Sequence, residues 1–583
     1  MVKKEIHISL LFVLLSLFGT MKLYAQNINL ETALKDFRNK MEQGKKFKLT
    51  GSINASNTYS YSTMGGMRDP YVYAINGTLN ISWLTINIPV SLNFTNAGFS
   101  YSYQYPRLPN RLSIHPKYKI YQAHIGDFSM NFSPYTMNGF QLTGAGFDIQ
   151  PKGNWKYSGF YGRFQKAVPF IEGNGNTLAT YKRNGLGAKL SYAGQKLQSA
   201  ISFIRIDDKE KSLNTKPDSL NIFPKSNLAV SLENKFKFTK SLQIDTEIGL
   251  SALTNDKRAG VDSSVPVFHK ILEPFADVNA STNFYKAFKG TLTYSLGSSS
   301  LGLGYERIDP GYQTLGAYYF NNDLENITAN FAQQLFNKKV SLSVNTGVQR
   351  DDLKREKTGS SNRIVMAVNT SITGGKKFNS SFNYSNFQTF TNIKPQFQYI
   401  NQLTPYDNLD TLDFRQLSQN ANANVTYIFR ADSLKTKMLN VNLSFQDSFD
   451  EQGGVVSTGN SSQFYNVVVS YSTMLVPKNL NLSYSLNATY NTIGATAMIT
   501  AGPAVMIGTT FFDKKLRSNV ALNYNMSMQQ KLMLQQIASG RITAAYTLYK
   551  KHQLGLNGVF MHRVIRGQPG KDFSTSITYS YSF

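Results

Sequence analysis

The chain of 583 residues contains no cysteine. That removes disulfides, thiolate metal sites, a cysteine nucleophile and a lipid-modified cysteine anchor together. Tryptophan is scarce, with 2 residues against 39 Phe and 34 Tyr. Long apolar runs are missing as well. Beyond the N-terminus no stretch reaches the roughly 18 apolar residues that a membrane-crossing helix needs, and mean hydropathy is -0.29. Helical spans are thereby excluded, whereas a barrel, in which half of each strand is polar, is not. No Pro-, Gly- or Ser-rich linker and no break in composition divides the chain, so one large unit fits better than several soluble domains. Acidic residues are few, 35 against 61 Lys and Arg, for a formal charge of +26. The cations are spread through turns and loops, not gathered in a stripe with interleaved aromatics. That argues against nucleic acid and makes lipid phosphates their natural counter-ions.

Three regions follow from what is present. Residues 1–25 read as a cleaved secretory signal: Lys3 and Lys4, an apolar segment from Ile8 to Phe18, then Tyr24-Ala25 before Gln26. Residues 26–46 form a short periplasmic amphipathic segment, with Leu30, Ala33, Leu34, Phe37 and Met41 at helical spacing. It is a plug, a docking element or a frayed tail. From Phe47 to Phe583 the chain alternates apolar and polar residues with period two, as strands do. Tyr71, Tyr73, Ile75 and Leu79 share one face against Asn76, Thr78 and Asn80; Val441, Leu443 and Phe445 oppose Asn440, Asn442 and Ser444. The connections alternate too. Short turns rich in lysine, such as Phe336-Asn337-Lys338-Lys339, Gly374-Gly375-Lys376-Lys377, Asp513-Lys514-Lys515 and Tyr549-Lys550-Lys551, separate longer segments. The longer ones include Leu253 to Ala287, Thr389 to Arg415 and Asp447 to Ser462. The pattern predicts an all-β transmembrane antiparallel β-barrel of about 26 strands, in a range of about 22 to 26, with short periplasmic turns and long external loops. In the region from Asn96 to Gly126 it predicts strands over Pro106 to Ile114 and Tyr118 to Gly126, joined by His115-Pro116-Lys117. Gly139 to Gln150 and Trp155 to Phe164 make the next hairpin, with Gly144 and Gly146 marking a close approach or bend.

The final stretch, Phe573 to Phe583, places Phe573, Thr575, Ile577, Tyr579, Tyr581 and Phe583 on one face and Ser or Thr on the other. It resembles the closing strand of bacterial outer-membrane β-barrels, which commonly ends in Phe after alternating aromatics. The resemblance implies that Ile577, Tyr579, Tyr581 and Phe583 are an insertion signal read by the barrel-assembly machinery. The runs His115-Pro116-Lys117-Tyr118-Lys119, Asn131-Phe132-Ser133-Pro134-Tyr135-Thr136, Arg307-Ile308-Asp309-Pro310-Gly311-Tyr312 and Phe320-Asn321-Asn322-Asp323 are similar to those of large, porin-like, functionally undefined outer-membrane barrels of Bacteroidota. That family implies a location in the cell outer membrane, among lipid and lipopolysaccharide, and no particular activity.

No catalytic, cofactor or metal site is expected. The chain has no His-Glu-x-x-His run, no Gly-x-Ser-x-Gly elbow and no phosphate-binding loop, and Gly302-x-Gly304 lies within a strand as packing glycines. The histidines past the signal, His115, His124, His269, His552 and His562, are scattered. Only His115 and His124 are near enough to meet across a hairpin, where a carboxylate would complete a proton-transfer set. Asp407, Asp410 and Asp413 share one predicted external loop, and Asp447, Asp450 and Glu451 another. Calcium accepts such oxygens, but solvated loop acids are the commoner case. Phe99, Tyr101, Tyr103 and Tyr105 read as an interfacial aromatic cluster before a contact site for a glycan or partner.

With strands ~4.8 Å apart and tilted ~40°, some 26 of them enclose a lumen on the order of 50 Å across, too wide for side chains alone to fill. Inward loops, residues 26–46 or a separate protein must occlude it; strands begin near Phe47, and no room remains for a separate N-terminal plug domain. The leading expectation is a channel or transport component. The alternative is a surface scaffold whose loops hold a partner, and either could engage a periplasmic or lipoprotein partner. Replacing Tyr579, Tyr581 and Phe583 together by Ser is expected to lower membrane levels and raise a periplasmic pool in cell fractionation. Normal folded levels would refute the insertion-signal reading.

Overall fold

The computed structural model describes residues 48–583 apart from 65–69, 84–85, 97–110, 170–178, 219–220, 261–274, 276, 318–321, 351–352, 356–361, 387–418, 453–454 and 531. The predicted signal, the amphipathic segment 26–46, the loop from 389 to 415 and the aromatic cluster at 99–105 lie outside the described residues.

Of 29 β segments, Met137–Asn138 and Gly316–Ala317 form a small parallel pair of their own. The other 27 belong to one sheet, in which Arg111–Ile114 and Lys117–Tyr118 are two pieces of the same strand, both paired with Ile86–Thr95 and with Tyr121–Ser129. The barrel therefore has 27 − 1 = 26 strands, as the sequence pattern predicts. Each strand pairs antiparallel with its neighbour in sequence, and the first, Lys48–Ser62, pairs with the last, Gln568–Ser582. Reciprocal bonds between Gly51 and Phe583, at 3.1 and 3.0 Å, complete the seam. No edge is left.

One rim is made of short turns stitched to the neighbouring strands: Thr373 N–H donates to Lys339, Thr547 to Lys515 and Ser582 to Lys551, each at 2.7–2.8 Å to the carbonyl. Both chain ends of the barrel lie on this rim, as an even strand count requires. Of the described residues, the opposite rim carries 130–140, 166–169, 179–181, 210–218, 221–225, 255–260, 277–281 and 309–317. Here the expectation of long external loops holds only for part of the circumference. From Leu480 onward this rim too has tight turns, at Gly494-Ala495, Gln530 and Arg566-Gly567. Asp447, Asp450 and Glu451, predicted in a loop, stand instead on the strand Lys435–Gln452, which pairs with Val455–Leu475. The backbone pairing continues past the aromatic neighbours Phe445, Tyr465 and Tyr490, with Asp447 opposite Gln463 and Asp450 opposite Ser457, so polar residues there did not mark a loop.

The hairpin Gln141–Ile149 with Trp155–Gln165 is as predicted, and Gly144 sits opposite Gly162, where an added Cβ would overlap the Tyr161 carbonyl. The preceding hairpin is shifted. Its turn falls at Lys119-Ile120, not at His115-Pro116-Lys117, because His115 keeps the ladder, donating its N–H to Pro89 O at 2.7 Å, and Pro116, which has no N–H, interrupts the strand without shifting its register.

The outward face is an exposed apolar surface: Leu303, Ile327, Val348, Phe382, Leu443, Val467 and Leu486 all face away from the lumen. A surface of this extent is stable against lipid and not against water. Leu443→Arg, near the middle of its strand, is therefore expected to cost about 2–4 kcal/mol and Asn442→Arg under ~1 kcal/mol in bilayer-reconstituted unfolding. Equal shifts would mean a register slipped by one residue.

Candidate functional site

The lumen is where chemistry can occur, and two segments of the long-loop rim fold into it. The first is 130–140. Ser133 to Thr136 form a turn with Pro134 at its second position; Thr136 N–H donates to Ser133 O at 3.1 Å, and Ser133 Oγ accepts from Tyr135 N–H at 3.0 Å. Phe132 N–H donates to Met137 O at 2.9 Å. The second segment, Asp309 to Ala317, lies alongside. Met137–Asn138 pairs with Gly316–Ala317, Thr314 Oγ1 donates to Thr136 O at 2.8 Å, and Tyr312 OH donates to Tyr135 O at 2.7 Å.

Inner-face residues of the barrel hold this pair of segments. Phe128, Phe160, Phe164, Ile204 and Leu253 form an apolar core with Phe132, Met137 and Leu315 from the segments. Tyr312 is fully buried. Gly249 leaves the room for Tyr135, since an added Cβ there would overlap its side chain. Polar anchors surround this core: Lys189 Nζ donates to Phe132 O and pairs with Glu233 at 2.8 Å, Ser133 Oγ donates to Glu247, and Tyr135 OH donates to Glu306 at 3.1 Å. Asn227 Oδ1 accepts from Leu315 N–H at 3.0 Å. Burial first, then the Glu306 and Glu247 carboxylates, push the Tyr135 phenol far above its ordinary value. It remains a proton donor throughout the physiological range.

The sequence offered a signal for this site. Leu197–Lys209 is apolar on both faces, with Ile201 and Phe203 outward and Ile204 and Ile206 inward. An inward apolar face means that something covers it. The runs containing Phe132-Ser133-Pro134-Tyr135 and Asp309-Pro310-Gly311-Tyr312 supply the cover, although they had been notable only for a family resemblance.

The second cluster was legible in advance. His115 and His124 do meet, Nδ1 to Nδ1 at 2.8 Å, and Asp148 supplies the carboxylate at 3.0 Å from His124 Nε2. Ser113 Oγ lies 3.2 Å from His115 Nε2, and Asp148 also receives Ser158 Oγ and, at 3.1 Å, Lys156 Nζ. With Asp148 ionised and both imidazoles neutral, one assignment satisfies every contact. Ser113 donates to His115, His115 to His124, and His124 to Asp148. This chain can relay a proton; its serine hydroxyl is buried against Ser91, with no approach for a bulky substrate. His552 lies at the short-turn rim, bonded to Tyr579 OH at 2.7 Å, and His562 stands on a separate stretch of wall; His269 lies outside the described residues. Asp447 accepts from Gln419 Nε2 at 2.9 Å. Among the described residues no three His, Asp or Glu side chains gather as metal ligands, and Asp407, Asp410 and Asp413 lie outside them.

No protein-family model matches the chain, and no curated protein matches its sequence. Among solved structures, the translocation pore of the P pilus usher PapC is similar over 92% of this chain and 99% of that chain, with a TM-score of 0.43 and 10% identity. The copper transporter OprC aligns over 92% of this chain and 81% of that one, at 0.38 and 8%. The outer membrane protein OprD from Pseudomonas aeruginosa aligns over 77% and 95%, at 0.33 and 9%. At such TM-scores these likenesses carry no argument about activity, and the barrel rests on its own strand pairing.

If the two inward segments obstruct the lumen, unseating them opens it. Gly249→Val, which collides with Tyr135, and Tyr135→Ala are each expected to raise single-channel current in planar bilayers while the barrel keeps its heat-modifiable gel mobility. Unchanged current in both variants would show that the obstruction lies elsewhere.

Proposed function

We propose that the protein is an outer-membrane channel or transport component. The observation that carries this reading is the inner wall outside the occluded sector. From the strand Ser299–Ile308 to the strand Leu480–Ile493 its mid-wall residues are mainly Asn, Ser, Thr and Gly, including Asn330, Asn345, Asn369, Asn424, Asn442 and Asn487, interrupted by Ala332, Ala367 and Val468. Amides donate to hydroxyls along it, as in Asn440 Nδ2 to Thr426 Oγ1 at 2.8 Å and Asn466 Nδ2 to Thr489 Oγ1 at 2.9 Å. Other amide atoms, Asn345 Oδ1 and Asn491 Oδ1, are buried and find no partner among the described residues. Such groups call for water, and a continuous polar wall facing an apolar exterior is the arrangement of a hydrated passage.

The same reading includes export by the signal at 1–25, insertion through the terminal aromatic strand by the barrel-assembly machinery, a place among outer-membrane lipid and lipopolysaccharide, and kinship with the porin-like barrels of Bacteroidota. It assigns no catalytic activity. The His115–His124–Asp148 chain then serves to stiffen the wall by satisfying buried polar groups. A scaffold without transport activity would show no passage, so the deciding measurement is conductance of the purified full-length chain in planar bilayers. Discrete ion currents are expected; a sealed membrane at every applied potential, for wild type and for the Gly249→Val and Tyr135→Ala variants alike, would overturn the reading.

A further inference from the structure

We propose that the short-turn half of the lumen binds neutral polyhydroxylated solutes, with oligosaccharides of two or three units as the fitting class. The inference rests on the channel reading and names what its wall recognises. A cavity of about 500 Å³ opens there, within the range usual for small-ligand sites. It is lined by Gln334, Ser341, Ser343, Asn369, Ser381 and Asn383.

Three features give it this preference. The first is the absence of charge. Among the described residues, the lumen-facing side chains of this half, counted from Thr291 round to Thr510, include no carboxylate, ammonium or guanidinium group. Lys289 and Glu306, 3.9 Å apart, mark one boundary and Arg517 the other. Lys437 falls on the outward face, in alternation with Leu439. Without a fixed charge the wall neither concentrates ions nor compensates the lost hydration of a charged solute. The second is chemistry: amides and hydroxyls both donate and accept, so they can replace water around hydroxyl groups one bond at a time. The third is a wall of small side chains. Gly302 and Gly304 occupy inner-face positions, alternating with the outward Leu301, Leu303 and Tyr305, and the polar side chains of Asn330 and Thr328 lie over them. Among the described residues no aromatic ring lines the cavity, so hydrogen bonding and not ring stacking sets the selectivity.

The test uses the full-length barrel in a detergent without a sugar head group, with saturation-transfer NMR on two probes, neutral raffinose and the anionic disaccharide lactobionate. Raffinose is expected to show transfer at least about fivefold above lactobionate. The paired change Ser343→Leu with Asn369→Leu is expected to lower the raffinose signal several-fold while gel mobility still reports a folded barrel, and Ser343→Lys with Asn369→Lys to raise lactobionate relative to raffinose. No raffinose signal, equal signals from the two probes, or a raffinose signal untouched by the paired leucines would overturn the inference. Because this readout needs no current, a barrel that conducts ions yet ignores raffinose defeats this inference alone, whereas a barrel that never conducts defeats the channel reading.

Discussion

A backbone N–H or C=O facing hydrocarbon without a partner costs several kcal/mol, so a β-structure surrounded by lipid must close its ladder completely. Everything else in this molecule depends on the seam between Lys48–Ser62 and Gln568–Ser582. Its pairing sets an even strand number and brings both ends to the rim of short turns. It also fixes register around the whole circumference, because a slip anywhere would exchange inner and outer faces. Serine and threonine pairs reinforce it on the inside: Thr58 with Ser576 at 3.1 Å and Ser60 with Ser574 at 3.2 Å.

The closed ladder was readable because its signal is redundant. Period-two alternation recurs from strand to strand, and an error at one boundary does not change the count. The interruption at His115-Pro116 and the long hairpin through Asp447 to Gln452 were misread for the same reason as each other. Turn residues and polar residues are weak evidence where neighbouring strands impose the pairing, and His115 stays in the ladder through Pro89. The proton chain was half visible: sequence spacing put His115 and His124 together, but Asp148 comes from the following strand, a choice that only register could make.

A barrel this wide cannot be filled by its own wall, and the molecule solves the problem unequally round its circumference. One sector has an apolar and charged inner face that accepts the folded segments 130–140 and 309–317. Phe160 and Phe164 would be unfavourable in a watery lumen, and Phe132 helps to cover them; Glu247 and Glu306 accept hydrogen bonds from Ser133 and Tyr135, with Asn326 and Lys289 also beside Glu306. From Thr291 round to Thr510 the short-turn half is mainly uncharged amide and hydroxyl, at ease in water, and charge returns with Arg517, Arg541 and the Arg563–Asp572 pair. The inward loops escaped sequence reading because their partners are scattered over strands from Phe128 to Glu306. Only the double-faced apolar strand Leu197–Lys209 gave a local hint of them.

The short-turn rim carries the same logic to the membrane boundary. Phe336, Asn337 and Lys338 have φ of 51, 53 and 66°, and Phe512, Asp513 and Lys514 repeat this at 52, 53 and 66°. Tyr549 and Lys550 follow at 49 and 61°. Left-handed backbone at a non-glycine residue costs roughly 1–2 kcal/mol, and the rings it presents are 74%, 69% and 83% exposed. In water alone, glycine or asparagine would be the better residue at each first position. Beside a bilayer the balance changes: an aromatic ring is favoured at headgroup depth, and each adjacent lysine can reach a phosphate. The strained turn directs both at once. The excess of lysine that gives the chain its +26 charge thus belongs to the surroundings of the barrel, and the turns make physical sense only when the lipid is counted among the solvents that shaped them.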